Sequence, residues 1–164
     1  MFDEIMGLPM HPLVVHAAVV FMPLLALVAV VYTLVPRVRA RIGWAAALLA
    51  IAGPVAAFVA RQSGERLEER LVAANYGQEI LDKVSDHQGY GNLTFWFSVG
   101  LGAGTLLLVL VTNGLTSGQG TTGGVPLWLT WVLGAAVIVL AGVTGVYVYL
   151  TGDSGADAVW SGVV

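Results

Sequence analysis

The sequence contains no cysteine. Disulfides, thiolate nucleophiles, cysteine-held iron–sulfur clusters and covalent c-type haem attachment are therefore excluded together. Charge is nearly as scarce: Asp, Glu, Lys and Arg make up 10% of the 164 residues, against about 25% in an ordinary soluble domain. That is too little to clothe a solvated surface. Lysine occurs once, at Lys83, and the basic residues form no stripe with interleaved aromatics, which argues against nucleic acid as a partner.

What the chain has instead is hydrocarbon. Hydrophobic residues make up 57% of it and the mean hydropathy is +0.84. A helix needs about 20 mostly apolar residues to cross a bilayer core of about 30 Å. Four stretches qualify, at 13–35, 42–60, 93–111 and 127–150, and none contains Asp, Glu, Lys or Arg. They predict an all-α integral membrane protein of one domain, an antiparallel four-helix bundle. Pro23 and Pro54 fall inside spans, where kinks are expected and a neighbouring helix can satisfy each freed carbonyl. Small residues recur at helical spacing: Ala52, Ala56 and Ala60; Gly100 and Gly104; Ala141 and Gly145. They predict close helix packing rather than a wide pore, and the absence of ionisable residues from the spans argues against a transporter.

The connections set the orientation. Residues 36–41 carry Arg37, Arg39 and Arg41, residues 61–92 are long, polar and helical in pattern, and 112–125 read as an uncharged flexible linker. Two short helices are expected in the long external loop, 64–76 and 78–87, the second leading into the third span. The positive-inside rule puts the triple-Arg turn in the cytoplasm, with both termini, every acidic residue and all three histidines outside. The acidic start Met1-Phe2-Asp3-Glu4 is unlike a secretory signal, so the first apolar run reads as a retained span. Trp44, Trp128 and Trp131 would then mark the inner interface, and Trp96, Tyr147 and Tyr149 the outer one.

Each pair of spans begins near a histidine and ends in Ser-Gly: His11 and His16 with Ser63-Gly64, His87 with Ser154-Gly155. This predicts a parallel internal repeat about an axis along the membrane normal, with Gly64 overlaying Gly155; Ser-Gly after a helix also serves as an ordinary C-cap. Pro12 suits a first helical turn. His11 and His16, five residues apart, point about 140° away from each other on a helix, so they are no ready metal pair. For each histidine a plain structural hydrogen bond stands beside ligation.

The His-Pro-x-x-Val-His at 11–16, the Gln-Ser-Gly-Glu at 62–65, His87 ahead of the third span, and the Gly-Asp-Ser-Gly-Ala-Asp-Ala-Val-Trp at 152–160 together resemble the bacterial membrane family catalogued as domain of unknown function 2231. The resemblance covers essentially the whole chain. Members occur fused to Rieske-type iron–sulfur or cytochrome c domains, which implies an association with electron transfer in the bacterial cell membrane. In concrete form, a b-type haem would sit in the bundle with His87 and either His11 or His16 as axial ligands. Arg61, Arg66 and Arg70 would pair with its propionates, and Gly89 and Gly91 would leave room for the macrocycle. One alternative is a zinc or copper site from His11, His16, His87 and Glu65, with Met6 and Met10 as soft donors suited to copper. Another is a non-catalytic accessory subunit of a respiratory complex. On all three readings the chain is a redox or accessory subunit rather than a stand-alone enzyme, and its partners are the bilayer and other membrane or electron-transfer proteins.

Overall fold

The computed structural model describes residues 4–5, 8–112 and 126–160; of the linker expected at 112–125, Thr112 belongs to the third helix, and 113–125, like Met6, lie outside the described residues. A two-residue antiparallel pairing, Glu4–Ile5 with Leu8–Pro9, precedes the helices. Four helices follow: α1 (Met10–Leu34), α2 (Arg39–Ala73), α3 (Gln78–Thr112) and α4 (Leu127–Trp160), with a 3-10 turn at Pro36–Val38 between the first two. All four are long and apolar enough to cross a membrane. Each packs against two neighbours, α1 and α3 both lying against α2 and α4, while α1 and α3 themselves barely touch. The cross-section is a square with α1 and α3 on one diagonal.

The helices outrun the apolar stretches. At about 1.5 Å per residue, the 35 residues of α2 and of α3 each extend about 52 Å, well beyond a core of about 30 Å. The separate short helix expected at 64–76 is the uninterrupted end of α2, and α4 continues ten residues past 150. Ser63-Gly64 and Ser154-Gly155 therefore lie inside helices and do not cap them. The stop for α2 comes later, at Asn75, whose φ is 56°, a left-handed conformation that Asn adopts more readily than most residues. Tyr76 N–H bonds Leu71 O at 3.1 Å and Asn75 N–H bonds Val72 O at 3.0 Å, the double closure of a Schellman turn. The hairpin to α3 is accordingly tight. As expected, α3 runs from Gln78 straight into its span.

The core repeats. Met22, Leu25, Ala29 and Tyr32 are buried on α1; Ser98, Leu101, Thr105 and Leu108, each 76 positions later, are buried on α3. Gly43, Ala46, Ala50 and Gly53 are buried on α2; Gly134, Val137, Ala141 and Thr144, each 91 positions later, are the buried residues of α4. The two hairpins thus present equivalent faces to a common axis, as a two-fold repeat requires.

Among the described glycines the tightest approach is at Gly102, where a Cβ would lie 2.4 Å from the carbonyl oxygen of Ala50 and 3.1 Å from Pro54. Proline lacks the N–H that would bond the carbonyl four residues earlier. Pro54 leaves Ala50 O free, and the Cα of Gly102 packs onto it. Gly100 and Gly104 meet Leu140 and Val137 as small interface residues should, whereas a Cβ on Gly145 would meet nothing within 4 Å. Trp44, Trp96, Trp128, Trp131 and Tyr149 are all more than half exposed on the lipid-facing perimeter, and Tyr147 stacks on Phe97. At the arginine end Arg39 turns back onto α1: Nε donates to Tyr32 O and Nη2 to Thr33 O, both at 2.9 Å, satisfying carbonyls at the helix C-terminus.

Candidate functional site: a histidine pair on the bundle axis

Pro12 opens the first turn of α1, and His11 just before it turns inward toward α2. Its Nδ1 lies 3.0 Å from both Ala60 O and Ser63 Oγ, and the Ser63 hydroxyl itself donates to Ala60 O at 2.8 Å. A carbonyl oxygen only accepts, and a serine has one hydrogen to give. The Nδ1 must therefore carry the proton, which leaves the Nε2 lone pair unshared.

The second hairpin builds the same device. His87 Nδ1 lies 3.1 Å from Ser154 Oγ, which donates to Thr151 O at 3.2 Å, and that carbonyl also acts on the imidazole. Ala60, Ser63 and Gly64 correspond to Thr151, Ser154 and Gly155 at the 91-residue offset, and His11 corresponds to His87 at the 76-residue offset. The glycines are explained by the rings. A Cβ on Gly64 would stand 3.1 Å from His11 Cε1, and one on Gly155 only 2.9 Å from His87 Cε1. Each imidazole edge lies against bare backbone.

From opposite corners of the square, the two rings meet at the axis with centroids 6.3 Å apart and planes at 81°. Both lie just outside the apolar stretches. Burial is the main cause holding both imidazoles below the ordinary histidine pKa, with the charge of His87 adding to the effect at His11 and the carbonyl hydrogen bonds opposing it. Around the two rings lies a polar layer: Thr94 bonds Thr151 at 2.8 Å, and the Nε2 of Gln88 and Oδ1 of Asn92 are buried without a partner.

The other candidates are placed as follows. His16 is exposed on the outside of α1, its Nδ1 bonded to Pro12 O of its own helix, so His11 rather than His16 meets His87. Glu65 pairs with Arg61 at 3.1 Å, and Arg61 also lies over the Phe95 ring. The expected four-ligand set of His11, His16, His87 and Glu65 is not gathered, and no group of three or more His, Asp or Glu positioned for a metal occurs among the described residues. Arg66 lines a groove on the outside of α2, and Arg70 is exposed one turn further along. Gly89 faces open space and Gly91 faces Thr151; the glycines that touch the histidines are 64 and 155. The two Ser-Gly pairs that mark the repeat in the sequence are not the helix C-caps they also resemble. The equal 91-residue spacing from Ala60 and Ser63 to Thr151 and Ser154 was the sign that both serve an imidazole.

A search of the curated proteins and of the solved structures finds no match to this chain. A family model described as "Predicted membrane protein (DUF2231)" matches residues 7–164, which includes both histidine devices and all four helices. The chain belongs to that family.

Proposed function

We propose that the protein is a membrane electron-transfer subunit in which His11 and His87 would hold a b-type haem. The observation that carries this reading is the pair of half-buried imidazoles, each held through Nδ1 by a serine hydroxyl, whose rings meet near one axis. Metal-binding histidines are habitually oriented by such a bond from the other ring nitrogen. The two ring centroids stand 6.3 Å apart, so that both imidazoles could serve one metal.

The number of ligands favours haem over bare zinc. Zinc sites take three or four protein ligands, while a macrocycle supplies four nitrogens of its own and asks the protein for two. Bound there, haem would supply reversible one-electron storage. Ser63, Ser154 and the carbonyls of Ala60 and Thr151 would hold the ligand tautomers, and Gly64 and Gly155 would let the rings lie close to the helices. Arg61 and Arg66, three residues before Gly64 and two after it, are nearer to it in sequence than Arg70 and would be the ones to serve a propionate. The three arginines at 37, 39 and 41 favour a cytoplasmic position for the opposite face of a bacterial cell membrane, which would put the histidine pair outside, within reach of external redox proteins.

The absorption spectrum of the purified protein tests this. A Soret band that shifts on reduction is expected, lost in His11→Ala and in His87→Ala but retained in His16→Ala. A folded, colourless protein would overturn the proposal, and stoichiometric copper or zinc by elemental analysis would replace it with a bare-metal site.

A further inference from the structure

We infer that one ordered water is bound within the hydrocarbon layer between α2 and α3, held by the hydroxyl of Thr105 and the carbonyl oxygen of Ala50. It ties the two hairpins together at one of their two seams.

A donor and an acceptor on facing helices carry this. Thr105 is fully buried, and its Oγ1 has no hydrogen-bond partner among the described residues. Thr33, Thr112 and Thr151 each donate to the carbonyl four residues back in their own helix. Thr105 does not use that outlet. On α2, Pro54 has no N–H to give to Ala50 O, and Ala50 is itself buried. Lipid offers such groups no bulk water, so a carbonyl freed by proline in a span is satisfied by neighbouring side chains or by ordered water.

The two groups stand on adjacent turns. A Cβ on Gly102 would lie 2.4 Å from Ala50 O, so that oxygen presses against the backbone of α3. Thr105 follows three residues later, and side chains at that spacing on a helix are neighbours about 5–6 Å apart. Two hydrogen bonds of about 2.8 Å through one water cover a gap of that size. Donors and acceptors also match. A carbonyl oxygen has two lone pairs and only accepts, so one lone pair can face Gly102 while a water donates to the other. The same water accepts the Thr105 hydroxyl. Two polar partners suffice to hold a buried water.

The internal repeat supplies a control within the chain. At the other seam, between α4 and α1, the positions of Pro54 and Thr105 are taken by Gly145 and Ala29. Gly145 has an N–H, so it releases no carbonyl, and Ala29 has no hydroxyl. The freed carbonyl and the buried hydroxyl occur together at one seam and are missing together at the other. Neither depends on what the histidines hold.

The test is a double-mutant cycle on the full chain, read by thermal unfolding in one detergent, with water contacts observed by NMR in nanodiscs. Thr105→Val keeps the branched shape and removes the hydroxyl. It should lower the melting temperature by about 2–4 °C. In Pro54→Ala, residue 54 regains the N–H that takes Ala50 O, and the same Thr105→Val change should no longer lower it. Magnetisation from water should reach the methyl group of Thr105 but not those of Leu25, which is equally buried. A rise in melting temperature for Thr105→Val in the wild type is the mark of a dry, unsatisfied hydroxyl and would overturn the inference. Equal shifts in the two backgrounds, or no water signal at Thr105, would overturn it as well. Should Pro54→Ala not fold, the sign of the Thr105→Val shift and the water signal still decide.

Discussion

Gly152 and Gly155 lie three residues apart in the same turn of α4, yet alanine should act on them with opposite sign. At Gly155 the new Cβ would sit 2.9 Å from His87 Cε1 and 3.2 Å from Nδ1. Reaching an ordinary contact near 3.5 Å moves the ring by roughly 0.6 Å, which stretches its 3.1 Å bond to Ser154 beyond hydrogen-bonding range. The lost bond costs about 0.5–1.5 kcal/mol and the crowding about 1–3 kcal/mol, against about 1 kcal/mol returned by the better helix propensity of alanine. The net is a destabilisation of about 2 kcal/mol. At Gly152 a Cβ meets nothing within 4 Å, so only the propensity gain remains, about 0.4–1 kcal/mol. Thermal unfolding of both variants in the same detergent should place Gly155→Ala below the wild type and Gly152→Ala above it, at about 2–4 °C per kcal/mol for a chain of this size. If both move in the same direction, the imidazole is not resting on Gly155 and the reasoning is refuted.

Gly102→Ala should be harsher, costing at least about 3 kcal/mol, because the obstructing atom is the backbone oxygen of Ala50 at 2.4 Å and no rotamer relieves it; loss of a monodisperse peak on size exclusion checks this, with Gly100→Ala, opposite a Leu140 methyl, as the tolerated control. Stability should also depend on pH. His11 and His87 have folded pKa values depressed by burial, so their contribution is complete above the unfolded value near 6.5 and is lost as pH falls through their lower folded values. Melting temperatures across pH 7.5 to 4.5 should show that decline, and replacing both by Asn should flatten the histidine part of the profile; an unchanged slope would exclude the pair as its source. Arg39→Met should lower stability by about 1.5–3 kcal/mol by releasing the Tyr32 and Thr33 carbonyls, measured by the same melts.

The four spans were legible because hydrocarbon leaves no freedom: about 20 residues without charge can satisfy their backbone in lipid only as a helix or a closed barrel. The role of Pro54 was also readable in kind, since a freed carbonyl in a bilayer demands a neighbour, though Gly102 could not be named as that neighbour without the interhelical register. Where each helix ends was not legible. Gly64, Gly152 and Gly155 look like terminators, and the polar residues around them look like loops, but packing of three long helices against one another carries them past these local signals. The choice between His11 and His16 depended on the same missing information. Their 140° separation guaranteed that only one could face the axis, and the position of α2 relative to α1 decided which.

The correspondence between the two hairpins has a further consequence. One hairpin holds half of everything: a single imidazole, the carbonyl and serine that orient it, and a glycine that makes room for it. Two identical copies related by a dyad would form the same axial pair with no further specification, so the present chain is a tethered dimer. Tethering frees the halves to diverge. Where the first carries Met22, Ala29 and Gly53, the second carries Ser98, Thr105 and Thr144, of which Thr105 and Thr144 keep their hydroxyls buried without partners. The interior has acquired a wetter side and a drier side, giving two chemically matched imidazoles unlike surroundings below them.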